Sequence, residues 1–144
     1  MDQQNYQSSI AADFTPAEAF EAIGQVNEWW TRNFEGSAEK LNDVFTVRFG
    51  ETYVIFKVTE SIPSKRAAWH VTDCYLPWLQ DKTEWTGTTV VFDISTVGDQ
   101  TQVTMTHIGL VPEVECYNGC EAGWNKYFKG SLLQLLTEHV GVPQ

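Results

Sequence analysis

Basic side chains are scarce in this sequence: nine lysines and arginines face nineteen aspartates and glutamates, a net charge of −10 at pH 7. Phosphate-rich partners need a basic surface, so DNA, RNA and anionic membranes are disfavoured. Long apolar runs are lacking too. No stretch approaches the ~20 residues that cross a bilayer, so no membrane span is expected. The opening residues, Met1-Asp2-Gln3-Gln4-Asn5, lack the basic-then-apolar order of a secretory signal. Cysteine is sparse and odd in number, three in the chain, which speaks against a disulfide framework and for a reduced, cytoplasmic setting. There is no phosphate-binding glycine loop and no nucleophile motif. The carboxylates Asp73, Asp81, Glu84, Asp93, Glu113 and Glu115 are scattered and form no catalytic pair. What the charge leaves open is a neutral ligand, a cation or a basic protein.

Aromatic residues, by contrast, are plentiful, with six Trp, five Tyr and eight Phe in 144 residues. So many large rings must be buried or line a pocket. The length suits one domain over 1–144, with a core of its own.

The segment from Thr101 to Gln144 organises the rest. Thr101 to Ile108 alternates, with Val103, Met105 and His107 on one face and Thr104, Thr106 and Ile108 on the other, which predicts a strand. Gly109-Leu110-Val111-Pro112-Glu113 interrupts it. A helix is then predicted from about Cys120 to His139, its apolar arc formed by Cys120, Trp124, Tyr127, Phe128, Ser131, Leu132, Leu135 and His139. Leu136 falls at the margin of that arc and Leu133 outside it. Gly141 and Pro143 are stop signals.

Upstream, Asn5 to Ala11 reads as a strand. Thr15-Pro16-Ala17-Glu18 is a helix start with a capping box, and a second short helical piece covers Val26 to Trp30. From Phe34 the period becomes two. Strands are predicted over Val44 to Phe49, Thr52 to Glu60, Arg66 to Cys74 and Thr86 to Val97. Glycine-first turns at Gly50-Glu51 and Gly98-Asp99 and a loop from Leu76 to Trp85 separate them. The order is strand, two short helices, five or six strands, long helix. The economical solution is an α+β fold in which one curved antiparallel sheet wraps around the terminal helix.

That order, together with His107-Ile108-Gly109-Leu110-Val111-Pro112, Glu115-Cys116-Tyr117, Cys120, Gly123-Trp124 and Ser131-Leu132, resembles the START-like (SRPBCC) superfamily. Within it the chain is similar to the branch related to the heat-shock protein 90 ATPase activator C-terminal domain. Trp69 and Thr86-Gly87-Thr88-Thr89 also fit. The resemblance implies a helix-grip fold. It implies no single function, because the fold carries lipid carriers, receptors and cyclases alike.

Three groups of residues invite a functional reading. His107 faces the helix, where it either titrates and orients a ligand or is a buried histidine hydrogen-bonded to backbone. Cys116 and Cys120 with His107 and a glutamate have no recognised zinc spacing, so no metal or other cofactor is expected and Cys120 reads as a buried free thiol. The rings suggest a cavity between helix and sheet. Its expected lining is Phe45, Phe49, Trp69, Phe92, Met105, His107, Trp124 and Phe128, with Trp30 and Trp78 at its mouth and Trp85 a further candidate. Gly123 and Gly130 are expected to let the helix approach the sheet closely. Three functions follow: a non-enzymatic domain binding a small, largely apolar or aromatic ligand; a protein-interaction module that resembles the chaperone activator; and a cyclase- or hydrolase-type enzyme using His107.

Overall fold

The structure, a computed structural model, describes residues 5–111, 114–115 and 117–143. Its first strand, β1 (Tyr6–Ala12), leads into α1 (Pro16–Gly24). The capping box forms as the sequence prescribes. Thr15 Oγ1 accepts from the Glu18 amide at 3.1 Å, and Glu18 Oε1 accepts from the Thr15 amide at 2.9 Å. After α2 (Val26–Trp29) come β2 (Phe34–Gly36), β3 (Val44–Phe49), β4 (Thr52–Ile62), β5 (Arg66–Tyr75), β6 (Thr89–Val97) and β7 (Gln100–Ile108).

Among the described residues seven strands form one antiparallel sheet in the order β1-β7-β6-β5-β4-β3-β2. The first strand pairs with the last, so α1 and α2 carry the chain from one sheet edge to the other. Pairing of β4 with β5 shifts register between Ile55 and Phe56 and again between Val58 and Glu60. Such irregularities bend and twist a strand pair, which helps the sheet to curl. β6 starts at Thr89, three residues later than the alternation suggests. Trp85, Thr86, Gly87 and Thr88 are taken up by turns, with Thr86 N bonded to Thr83 O and Thr88 N to Trp85 O.

The concave face holds the C-terminal helix. It begins at Tyr117, before the expected Cys120, and has three parts: α3 (Tyr117–Trp124), a π-helical stretch (Asn125–Leu132) and α4 (Leu133–Glu138). The π-helical stretch changes which residues face inward. Cys120, Trp124, Tyr127, Phe128, Ser131 and Leu132 are buried as an α-helical period requires, but beyond Leu132 the buried residue is Leu136. Leu135 is half-buried and His139 is exposed. A wider turn with i→i+5 bonding takes one more residue to come round, so the inward position moves on by one. Leu133, a misfit by α-helical period, is half-buried against the core for the same reason.

Around this helix Phe45, Phe56, Trp69, Phe92, Met105 and Phe128 form the centre of the core, each at most 1% exposed. Alternation along β7 places Val103, Met105 and His107 inward, as expected, while Ile108 is exposed. No helix among the described residues is long and apolar enough to cross a membrane.

Candidate functional site

The residues that frame the site come from four places. Trp29 and Trp30 end α2 and are both buried, because α2 lies inside the curl of the sheet. Trp29 stacks on Trp69 with centroids 6.4 Å apart, while Trp30 turns to Trp124 at 4.8 Å and Phe56 at 5.7 Å. Trp124, on α3, lies nearly parallel to Trp85 of the loop 76–88, with centroids 6.0 Å apart. Phe49, at the end of β3, is 5.9 Å from Trp30 and 6.4 Å from Tyr127. The rings therefore form a continuous chain from the core to one end of the sheet.

At that end lies a cavity of about 200 Å³ lined by Trp30, Phe49, Thr52, Val54, Leu76, Trp78, Trp85, Gly119, Cys120, Gly123, Trp124 and Tyr127. None of these side chains is charged. Of the ten expected lining residues, Trp30, Phe49, Trp78 and Trp124 border this space, and Trp78 is 55% exposed at its rim. Phe45, Trp69, Phe92, Met105, His107 and Phe128 do not border it; they are fully packed in the interior. Alternation places these six on the concave face but does not tell which end of that face stays open. Thr52, Val54 and Leu76 carry no sequence signal that marks them as lining, and Tyr127 carries only its place on the apolar arc, whereas the loop tryptophans Trp78 and Trp85 stand out.

Two glycines have a different role from the one expected. A Cβ at Gly119 or Gly123 would meet no atom within 4 Å, and one at Gly130 would meet only the Asn125 carbonyl oxygen, at 3.9 Å. Close approach of helix to sheet therefore does not explain Gly123 and Gly130. Gly119 and Gly123 instead leave the helix flank of the cavity open. Gly130 belongs to the π-helical stretch.

His107 lies next to the cavity wall but is sealed from it, at 0% exposure. Trp124 Nε1 donates to His107 Nδ1 at 3.1 Å. An indole nitrogen only donates, so Nδ1 is an acceptor and the ring proton sits on Nε2. His107 Nε2 then donates to Thr88 Oγ1 at 2.9 Å, and Thr88 Oγ1 donates to the Trp85 carbonyl at 2.6 Å. The Trp85 ring meets the imidazole edge-on at 4.6 Å. Burial lowers the imidazole from its ordinary 6.5 to about 3. The partners are side chains rather than the backbone groups expected. With both nitrogens occupied and the ring neutral, His107 has no proton or lone pair left for a substrate. Its chemistry is to fix Trp124 and Trp85, two walls of the cavity. Gly109 assists: its φ is 106°, and a Cβ there would lie 2.6 Å from Thr88 Cγ2, so only glycine lets Thr88 sit under His107.

Cys120 is disulfide-bonded, which corrects the free thiol expected there; the buried Cys74 is free. Cys116, Pro112 and Glu113 lie outside the described residues, and with them that part of the proposed ligand cluster. Among the described residues no three His, Cys, Asp or Glu side chains gather as metal ligands would. Trp69 Nε1 is buried without a hydrogen-bond partner, among the rings of Trp29, Trp30, Phe45, Phe56 and Phe92.

No protein-family model matches the chain, and no curated protein sequence matches it. Solved structures do. The chain is similar to the Aha1 dimer from Colwellia psychrerythraea, with 25% identity, a TM-score of 0.73, and coverage of 92% of this chain and 95% of that one. It is similar in fold to the Staphylococcus saprophyticus protein SSP2350, with 15% identity, a TM-score of 0.71 and 96% of each chain covered. It is also similar in fold to the Mesorhizobium loti protein MLL2253, with 16% identity, a TM-score of 0.70, and 95% of this chain and 100% of that one covered. The fold is the START-like, helix-grip fold, related to that of Aha1.

Proposed function

We propose that this START-like chain is a non-enzymatic binding domain for a small, largely apolar ligand held in the cavity beside the C-terminal helix. One observation carries the reading: a concave space of about 200 Å³, open on one side, is walled by four indoles, a phenyl and a phenol ring. Small-molecule sites are concave and mostly apolar, as this one is. The volume limits the ligand. A cavity of ~150 Å³ already takes benzene, while drug-sized ligands need roughly 300 Å³ or more. A one- or two-ring compound fits inside; a sterol or a long acyl chain fits only in part. The role of His107 is to position walls, not to catalyse.

Thermal melts with single-ring and two-ring aromatics test this. A ligand present at 100 times its dissociation constant raises stability by ~2.7 kcal/mol. Absence of any shift, with the Trp emission unchanged, would leave a packed scaffold without a ligand.

The likeness to the Aha1 structure supports a second reading, a protein-interaction module. On that reading the chain stimulates a heat-shock protein 90 ATPase in a salt-sensitive manner. A net charge of −10 opposes encounter with any acidic partner. Little or no stimulation is therefore expected, and strong stimulation at micromolar protein would favour this reading over the first.

A further inference from the structure

The lining and the rim of the cavity have different chemistry. Inside, the exposed surface is almost entirely ring and aliphatic carbon, and Trp30, Phe49, Trp78, Trp85, Trp124 and Tyr127 enclose it on several sides. An aromatic face carries negative quadrupole density and attracts a cation, most strongly when the cation is already stripped of water. One of these rings does so within the protein, because Lys126 Nζ lies 5.2 Å from the centroid of Tyr127.

The rim is acidic where the loop and the helix supply it. The loop 76–88 and the helix flank carry Asp81, Glu84 and Glu115 against Lys82 and Lys126, whereas on the other side Arg32 and Arg48 accompany Glu51, with Arg48 paired to Glu35. Both lysines are engaged, Lys126 over Tyr127 and Lys82 Nζ donating to the Leu79 carbonyl at 3.0 Å. Two of the carboxylates hold the loop 76–88 to the start of the helix. Glu115 Oε1 accepts from the Gln80 amide at 3.0 Å, and Glu84 Oε1 accepts from the Glu115 amide at 3.1 Å. Negative charge is thus fixed where the loop and helix that border the cavity meet. A whole chain of −10 adds an attractive field for positive ligands.

From these features we infer that the ligand is an organic ammonium, with methylated nitrogen seated among the indoles and its charge compensated by the rim carboxylates. This rests on the binding-domain reading and adds the sign of the ligand's charge. A primary ammonium fits less well, because among the lining side chains only the Thr52 and Tyr127 hydroxyls could replace its water hydrogen bonds. A quaternary or tertiary nitrogen has little or no such demand, and its methyl groups match an apolar wall.

The test compares two compounds of nearly the same shape, 4-hydroxyphenyltrimethylammonium and 4-tert-butylphenol, by titration of Trp emission and by calorimetry. The cation is expected to bind about tenfold tighter at low salt, with the preference shrinking as salt rises. The double variant Glu84→Gln/Glu115→Gln, whose amide oxygens still accept both backbone bonds, should cut the preference several-fold and leave 4-tert-butylphenol binding unchanged. Trp78→Leu should weaken both compounds through the lost ring contact, and the cation more than 4-tert-butylphenol. Equal or tighter binding of 4-tert-butylphenol by the wild type overturns the charge assignment and leaves the apolar-ligand reading standing. Binding of neither compound overturns both.

Discussion

Trp124 donates its indole N–H to Nδ1 of His107 across 3.1 Å, and this one bond decides the state of the imidazole. Because the indole cannot accept, the ring must carry its proton on Nε2 and stay neutral. Nitrogen-detected NMR should show one histidine with protonated Nε2 and bare Nδ1 from pH 8 down to about 5. Trp124→Phe leaves a buried acceptor unpaired and should cost roughly 1–3 kcal/mol. Trp124→Ala, which also empties the space, should cost ~3–5 kcal/mol. Chemical denaturation measures both.

A pH dependence follows. His107 is held at about 3 when folded and returns to 6.5 when unfolded. Between those values the unfolded chain binds the extra proton, so stability rises with pH. The contribution is complete above 6.5 and is lost toward 3, at no more than ~1.4 kcal/mol per pH unit. Urea midpoints between pH 7.5 and about 5 should fall less steeply for His107→Gln than for the wild type. Parallel curves would show that the imidazole is not sealed as described.

Gly123 offers a substitution in which stability and binding part company. Nothing stands within 4 Å of a Cβ placed there. Gly123→Ala should therefore gain up to ~1 kcal/mol from helix propensity while narrowing the cavity. The expected outcome is a higher melting temperature together with weaker binding of any cavity ligand. A lower melting temperature would mean that the helix is in contact at this point after all.

The inward residue of α4 can be tested directly. Leu136 is 7% exposed and Leu135 is half-buried. Leu136→Ala should cost ~2–5 kcal/mol and Leu135→Ala clearly less. The reverse order would indicate an uninterrupted α-helical period through Gly130.

Much of the fold is legible in the chain because its signals are local. The period-two runs of β3 to β7, the capping box at Thr15 and Glu18, and the apolar arc through Trp124 and Phe128 each specify an element without reference to the others. The candidate site is less so. Alternation assigns Phe45, Trp69 and Met105 to the concave face correctly, but whether that face is filled or open depends on how the loop 76–88 and the helix close over one end. No local pattern carries that information. Gly123 shows the difficulty: a helical glycine has the same sequence signature whether it admits a neighbour or leaves a void. The inward turn of Leu136 was hidden for another reason, since a 100° period assumes the regular α-helical turn that Asn125 to Leu132 do not make.

That π-helical stretch has a genetic consequence. In most helices, deleting one residue swings everything downstream onto the wrong face and is lethal to the fold. Here the surplus residue is already accommodated as a wider turn. Loss of one exposed residue from the stretch, Lys129 for instance, would let the helix close into ordinary α geometry with Phe128 upstream and Leu136 downstream still facing inward. Deletion of Lys129 is thus expected to lower the melting temperature less than deletion of an exposed residue from α3 or α4.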